Sequence, residues 1–120
     1  MKILKISDIS KCPGGRSIST GPDSAEWFYK EHLLPIYKET IAEDTILQID
    51  PDGTEGYAGS YLDELFGRLA YEEGLILPQY YIRIISTEEP YLIDDIAESM
   101  KEWAQYGIPE SSPLNKQQPL

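Results

Sequence analysis

The residues best suited to catalysis or binding lie in ILQIDPDGTEG, residues 46–56, in which acidic residues follow an apolar run directly. Asp50 closes the run, and Asp52, Gly53 and Thr54 come immediately after it. Magnesium-dependent phosphoryl transfer uses one carboxylate as nucleophile and a second as acid and base, both beside the metal. The spacing therefore admits phosphate-ester hydrolysis with Asp50 as nucleophile and Asp52 as acid and base. The alternative is that the same turn is the edge of a protein-binding surface.

A phosphatase of the haloacid dehalogenase type needs further groups. IRIIST, residues 82–87, could end in a phosphate-binding hydroxyl, and LIDDI, residues 92–96, could supply a second acidic pair. That chemistry also needs a lysine from a separate element between the two motifs, to neutralise phosphoryl charge. Only a short segment lies between Thr87 and Asp94, too short for a further strand or helix. The phosphatase is therefore kept as the less favoured alternative, and we expect a protein that is not an enzyme.

Apolar periodicity predicts the elements that position this turn. Strands are expected at residues 2–9, 45–49 and 80–86, and a further short one at residues 17–20. A first helix is expected over residues 23–43, with Asp23 and Glu26 as capping box and an interruption at Pro35. A second is expected over residues 60–73, ended by Gly74. A last helix is expected after Pro90, and one of its faces carries Ile93, Ile96, Met100 and Trp103.

Strands that alternate with helices imply parallel strand pairs with helices on at least one face. The sequence thus predicts an α/β single domain, residues 1–106, with a mixed sheet of about four strands and three main helices. Residues 107–120 are expected to form a polar C-terminal tail. Binding residues in such sheets gather at the carboxyl ends of the strands, which places the site at residues 50–61.

Charge and composition restrict the partners. Asp and Glu number 21 against 10 Lys and Arg, a net charge of −11. Direct binding to nucleic acid or to an anionic membrane is therefore disfavoured. The single cysteine, Cys12, can form no internal disulfide and has no ligand cluster around it, so neither metal nor cofactor is expected. With no apolar spanning run and no secretory signal, the expected location is the cytoplasm.

A longer motif carries a resemblance to a known family. IDPDGTEGYAGSYLDELFGRL, residues 49–69, resembles the signature of the bacterial STAS-like domains of unknown function, which are similar to the fold of sulfate-transporter domains and anti-sigma-factor antagonists (STAS). The shared pattern is an aspartate-ended strand, a glycine-rich turn, a small residue and serine, an aromatic residue and an acidic helix start. CPGGRSISTGPDSAEWFYKEHLLP, residues 12–35, resembles the upstream part. Tyr61 departs from the usual phenylalanine, and Gly59 stands where serine is common.

The resemblance implies protein binding rather than catalysis. Anti-sigma-factor antagonists dock on a histidine-kinase-like ATPase and are switched off when it phosphorylates a serine at the start of the helix after the central strand. Ser60 occupies the matching position here. A simpler role is also open: Ser60 is the N-cap, and its hydroxyl accepts the N–H of Asp63. The candidate binding or phosphorylation residues are Asp50, Asp52, Gly53, Thr54, Gly56, Tyr57, Gly59, Ser60, Tyr61, Asp63 and Glu64.

One more function stays open beside these. An acidic phage or defence protein could occupy a basic nucleic-acid-binding surface of another protein, because its net charge would steer it there. Salt separates the two interaction hypotheses, since such mimicry weakens steeply as the salt concentration rises.

Overall fold

The computed structural model describes residues 1–15, 23–57 and 60–107. Its elements in chain order are β1 (Lys2–Lys5), α1 (Ile6–Ile9), α2 (Ala25–Phe28), a π-helical turn (Tyr29–Leu33), α3 (Leu34–Ala42), β2 (Leu47–Asp50), α4 (Tyr61–Glu73), α5 (Ile76–Tyr81), β3 (Ile82–Ile84) and α6 (Tyr91–Ala104). The predicted strand at residues 17–20 and the tail from residue 108 onward lie outside the described residues.

β2 is the central strand of the sheet, with β1 on one side and β3 on the other. Both pairings are parallel, and Lys5 lies opposite Asp50 at the carboxyl edge. The α/β prediction is confirmed. The described residues form three strands, all parallel, where a mixed sheet of about four had been expected. Parallel strands bring their carboxyl ends to one edge, which is what assembles the site below.

The core lies between the sheet and the helices that cover it. Leu47 and Ile49 of β2 are fully buried, as are Phe66 and Leu69 of α4. Continuous burial of a central parallel strand by apolar side chains is the usual state of such sheets. No helix in the described ranges is long and apolar enough to cross a membrane.

Gly67 allows α4 and α6 to pack closely. A Cβ atom at this position would stand 2.5 Å from ring carbons of Trp103 on α6. The close neighbour of Gly67 is therefore a side chain of another helix, and a larger residue here would push α4 and α6 apart. Gly74, at φ +82°, ends α4 as the sequence predicts.

The helical run around Pro35 is interrupted, as predicted, although its start differs. The π-helical turn precedes Pro35, and the N–H of Leu34 donates to the carbonyl of Tyr29 five residues back. Proline cannot continue an α-helical hydrogen-bond ladder, so the break falls here. Ser24, rather than the predicted Asp23, caps α2: its Oγ accepts the Trp27 N–H at 3.1 Å.

Two predicted strands are shorter than expected. Residues 6–9 form a helical turn instead of continuing β1, and residues 80 and 81 end α5 instead of beginning β3. The Arg83 guanidinium donates to the carbonyls of Gln79 and Tyr80 and so closes the end of α5. Tyr81 donates to Asp44. These side-chain contacts decide the local structure against the β-propensity of the tyrosines.

The inward face of α6 is rotated from the predicted one. Leu92, Ile96 and Met100 are buried at i, i+4 spacing, whereas Ile93 is 39% exposed. The stripe through Leu92 packs on the core, and Ile93 lies at its edge.

Candidate functional site

The carboxyl edge of the sheet brings together groups from all three strands. Asp50 ends β2, Lys5 ends β1, and the segment from Ser86 to Glu89 follows β3. One Asp50 oxygen accepts the Asp52 N–H at 2.8 Å, and the other lies 3.1 Å from Lys5 Nζ. The hydrogen bond and the charge of Asp50 raise the pKa of Lys5. Both oxygens of Asp50 therefore have internal partners.

Asp52 holds the segment after β3 in place. Its carboxylate accepts from Ser86 Oγ at 2.6 Å, from the Thr87 N–H at 2.7 Å and Oγ1 at 3.1 Å, and from the Glu88 N–H at 3.1 Å. Partial burial acts to raise the pKa of Asp52, but the hydrogen bonds outweigh it and lower the pKa to about 2. At neutral pH the group is ionised and fully occupied, which is unfavourable for a general acid.

The glycine turn is fastened on both sides. Gly53 has φ +89°, its N–H donates to Glu88 at 3.0 Å, and an added Cβ would stand 2.9 Å from Ser7 Oγ. Gly56, at φ +121°, donates its N–H to Thr54 Oγ1 at 3.2 Å. Positive φ favours glycine at both positions. Gly53, Thr54 and Gly56 thus shape the turn through backbone geometry.

The two tyrosines that flank the turn differ in exposure. Tyr61 is fully buried, and Tyr57 is partly buried with its hydroxyl donating to the Pro51 carbonyl. Their ring centroids are 5.5 Å apart. Burial raises the pKa of both phenols. The expectation that Tyr61 contacts a partner is contradicted by its position in the core, whereas Tyr57 retains some exposed surface.

Ser60 stands at the N-cap position of α4, as predicted, but its hydroxyl makes no capping hydrogen bond. Only its backbone carbonyl enters the helix, by accepting the Glu64 N–H at 2.9 Å. The simple capping role that the sequence suggested is therefore wrong. The Ser60 side chain is partly exposed. Gly59, its predicted neighbour in the site, lies outside the described residues.

The two acidic residues in the first turn of α4 have internal partners. Asp63 accepts the indole N–H of Trp103 at 3.1 Å. Glu64 is 4% exposed and pairs with Arg68, with its Oε2 2.6 Å from the nearer guanidinium nitrogen. Glu64 is thus inside the fold and cannot be a surface contact here. Asp63 keeps an outward position at the rim of a groove described below.

Lys5 was missed by the sequence argument, which sought a lysine only between residues 87 and 94. A lysine at the end of the first strand was the available signal, because adjacent parallel strands bring their ends together. As for a metal, no three His, Cys, Asp or Glu side chains within the described ranges converge in a way that could hold an ion. The carboxylates of Asp50 and Asp52 instead contact different groups of the same chain.

Comparison with known proteins adds no relative. No protein-family model matches the sequence, and neither a curated protein nor a solved structure shows significant similarity.

Proposed function

We propose that this protein is a non-enzymatic protein–protein interaction module of the STAS-like kind, which docks a partner through its docking loop and is regulated by phosphorylation at Ser60. The docking loop is residues 51–57 with the start of α4. The resemblance to anti-sigma-factor antagonists names the partner class, a histidine-kinase-like ATPase. The observation that carries the proposal is that the Ser60 hydroxyl makes no cap at a helix start while the aspartates of the turn are engaged internally.

The position of Ser60 supports the switch. α4 directly follows the central strand β2, which is where the resemblance requires a regulated serine. A phosphate at a helix N-terminus meets unsatisfied N–H groups and the positive end of the helix dipole, so the fold tolerates it. Asp63 and Glu64, in the first turn of α4, already place negative charge at this helix start and offset part of that favourable interaction. The phosphate adds a charge of nearly −2, and removing water from that charge when a partner docks costs free energy. Phosphorylation would therefore break the docked interface.

The surface composition of the docking loop fits a protein partner. Gly53, Glu55 and Gly56 are exposed, and Tyr57 is partly exposed beside them. The backbone N–H groups of Gly53 and Glu55 donate to Glu88 and to the Lys11 carbonyl, so two points of the turn are fixed to the rest of the protein. Preorganisation of this kind lowers the entropy lost on binding.

A phosphatase remains the second candidate, because one observation favours it. Lys5 Nζ lies 3.1 Å from Asp50, so β1 supplies the cation that the sequence motifs lacked. Asp52 speaks against a phosphatase, because its lowered pKa and its four hydrogen bonds make it a poor proton donor. We expect no magnesium-dependent hydrolysis of a generic phosphate ester above that of Asp50→Asn. Turnover that Asp50→Asn abolishes would reassign the function.

Binding to a histidine-kinase-like ATPase, sought among the products of neighbouring genes, tests the proposal. Wild type and Ser60→Ala should bind alike by isothermal titration calorimetry, and Ser60→Asp should bind at least about tenfold more weakly. Gln79→Glu is the matched control, since it adds one negative charge at an exposed site on α5, at the opposite edge of the sheet. Circular dichroism should show that all variants are folded. Wild-type affinity in Ser60→Asp would refute the switch.

A further inference from the structure

A groove of about 480 Å³ lies between the starts of α4 and α6, beside the docking loop. We call it the α4–α6 groove. Its floor contains Leu62, Leu92 and Ile96, and the latter two are almost fully buried. Volumes of this order are typical of sites that enclose a ligand of several atoms or a side chain with its neighbours. Gly56 and Tyr57 of the docking loop form one wall, so the groove is continuous with the proposed docking surface.

The rim of the α4–α6 groove is acidic and aromatic. Asp63, Glu89 and Asp95 line it, and no lysine, arginine or histidine is found among the described residues that do so. Tyr91 also lines it and is 59% exposed. The charge of Glu89 raises the pKa of the Tyr91 phenol. An apolar floor under a negatively charged rim is thus the chemical character of this groove.

That character selects an occupant. Arginine combines a long apolar stem with a planar cation that can bind more than one carboxylate and stack on an aromatic ring. Its stem would cover Leu62 and Leu92, while its guanidinium would reach Glu89 and Asp95 and face Tyr91. We infer that the α4–α6 groove binds an arginine side chain in a basic segment of the partner protein. The inference deepens the proposed function and depends on it for the existence of that partner.

Other occupants fit less well. A wholly apolar segment would remove three carboxylates from water without compensation, which is unfavourable. An anionic ligand would be repelled by the same groups. A lysine ammonium is a compact, strongly hydrated point charge and cannot span separated carboxylates as a guanidinium can.

A short peptide tests the inference without the partner. The probe is acetyl-Gly-Ala-Arg-Ala-Gly-amide, titrated into ¹⁵N-labelled protein while amide chemical shifts are followed. Its control replaces arginine by citrulline, which has the same shape and no charge. We expect saturable shifts centred on Leu62, Tyr91 and Asp95, binding that weakens as salt rises, and at least about tenfold weaker binding of the citrulline peptide. Equal binding of the two peptides, or none of either, would overturn the inference.

Matched variants locate the interaction. Glu89→Gln with Asp95→Asn removes two charges from the rim and should weaken the arginine peptide about tenfold or more. Asp94→Asn with Glu98→Gln removes two charges from exposed positions of α6 that do not line the groove and should leave binding unchanged. An equal loss of peptide affinity in both double variants would mean that the acidic surface attracts the peptide in general, and would refute specific binding in the α4–α6 groove.

The two proposals fail separately. Because the peptide assay contains no partner, its failure overturns arginine recognition in the groove and leaves the Ser60 switch in place. A partner that binds Ser60→Asp as tightly as wild type overturns the switch alone.

Discussion

Asp52→Asn tests whether Asp52 is a structural residue or a free catalytic acid. The substitution preserves the size of the side chain but removes its charge and one of its two acceptor oxygens. In the wild type those oxygens accept four hydrogen bonds from Ser86, Thr87 and Glu88. An amide oxygen can accept only part of this set, and its NH₂ group would face N–H donors. We therefore expect Asp52→Asn to loosen the segment after β3 and to destabilise the fold.

The magnitude follows from the pKa of Asp52. Lowering the pKa from 3.8 to about 2 corresponds to at most about 2.5 kcal/mol of stability. The site is partly exposed, and solvent screening reduces this to about 1–2 kcal/mol. Because the pKa is lower in the folded than in the unfolded state, this stability is present above pH 3.8. It is lost as the pH falls through about 2.

Urea unfolding followed by tryptophan fluorescence, repeated from pH 7 down to pH 2.5, measures the effect. Wild type should exceed Asp52→Asn by about 1–2 kcal/mol at pH 7, and the difference should shrink steadily below pH 4. Asp94→Asn, an exposed carboxylate on α6, is the matched control and should stay within about 0.5 kcal/mol of wild type.

Two results would refute this reasoning. One is equal stability of wild type and Asp52→Asn at pH 7, which would mean that the hydrogen bonds around Asp52 contribute nothing. The other is a difference that does not change with pH, which would mean that packing rather than the ionised carboxylate is responsible. A stabilised Asp52→Asn variant would also revive the phosphatase, because strained functional carboxylates are often destabilising to the fold.

Two further predictions concern side chains whose hydrogen bonds differ. Ser24→Ala should lower stability by about 1 kcal/mol in thermal unfolding, whereas Ser60→Ala should change it by less than about 0.5 kcal/mol, since of these two serines only Ser24 caps its helix through Oγ. Equal losses would contradict this contrast. Tyr29→Phe should cost about 1–2 kcal/mol in urea unfolding, because it breaks the 2.7 Å hydrogen bond to Glu72. Tyr61→Phe should be neutral or stabilising, because the buried Tyr61 hydroxyl has no hydrogen-bond partner among the described residues. A clear loss of stability in Tyr61→Phe would show that this hydroxyl is satisfied.

Local sequence patterns were most reliable where they were long and periodic. The helix from Ser60 to Gly74 was predicted nearly to its ends, because an apolar stripe, a start signal and a terminating glycine agree there. The interruption at Pro35 was predicted for the same kind of local reason. The strand at residues 80–86 was wrong at its start, because the contacts of Arg83 and Tyr81 compete with intrinsic propensity there.

The sequence predicted a site at residues 50–61, but it could not predict which side chains of the same protein would bond to Asp50 and Asp52. Asp52 bonds to groups 34 to 36 residues away, and Asp50 pairs with Lys5 across 45 residues. The amino-acid types suggested that the segment after β3 would come near the turn. They could not show that every hydrogen bond of the Asp52 carboxylate would go to that segment. An aspartate in a catalytic centre and an aspartate with a structural role look the same in a sequence.

By itself the sequence determined the α/β alternation, the glycine turn after a buried strand and a helix beginning at Ser60, because short-range sterics and periodic burial act within a few residues. Only the tertiary structure decided that the Ser60 hydroxyl is not a cap, that Tyr61 and Glu64 are inside, and that α4 and α6 enclose an acidic groove. Those properties depend on which distant side chains approach, and distance along the chain carries no information about that.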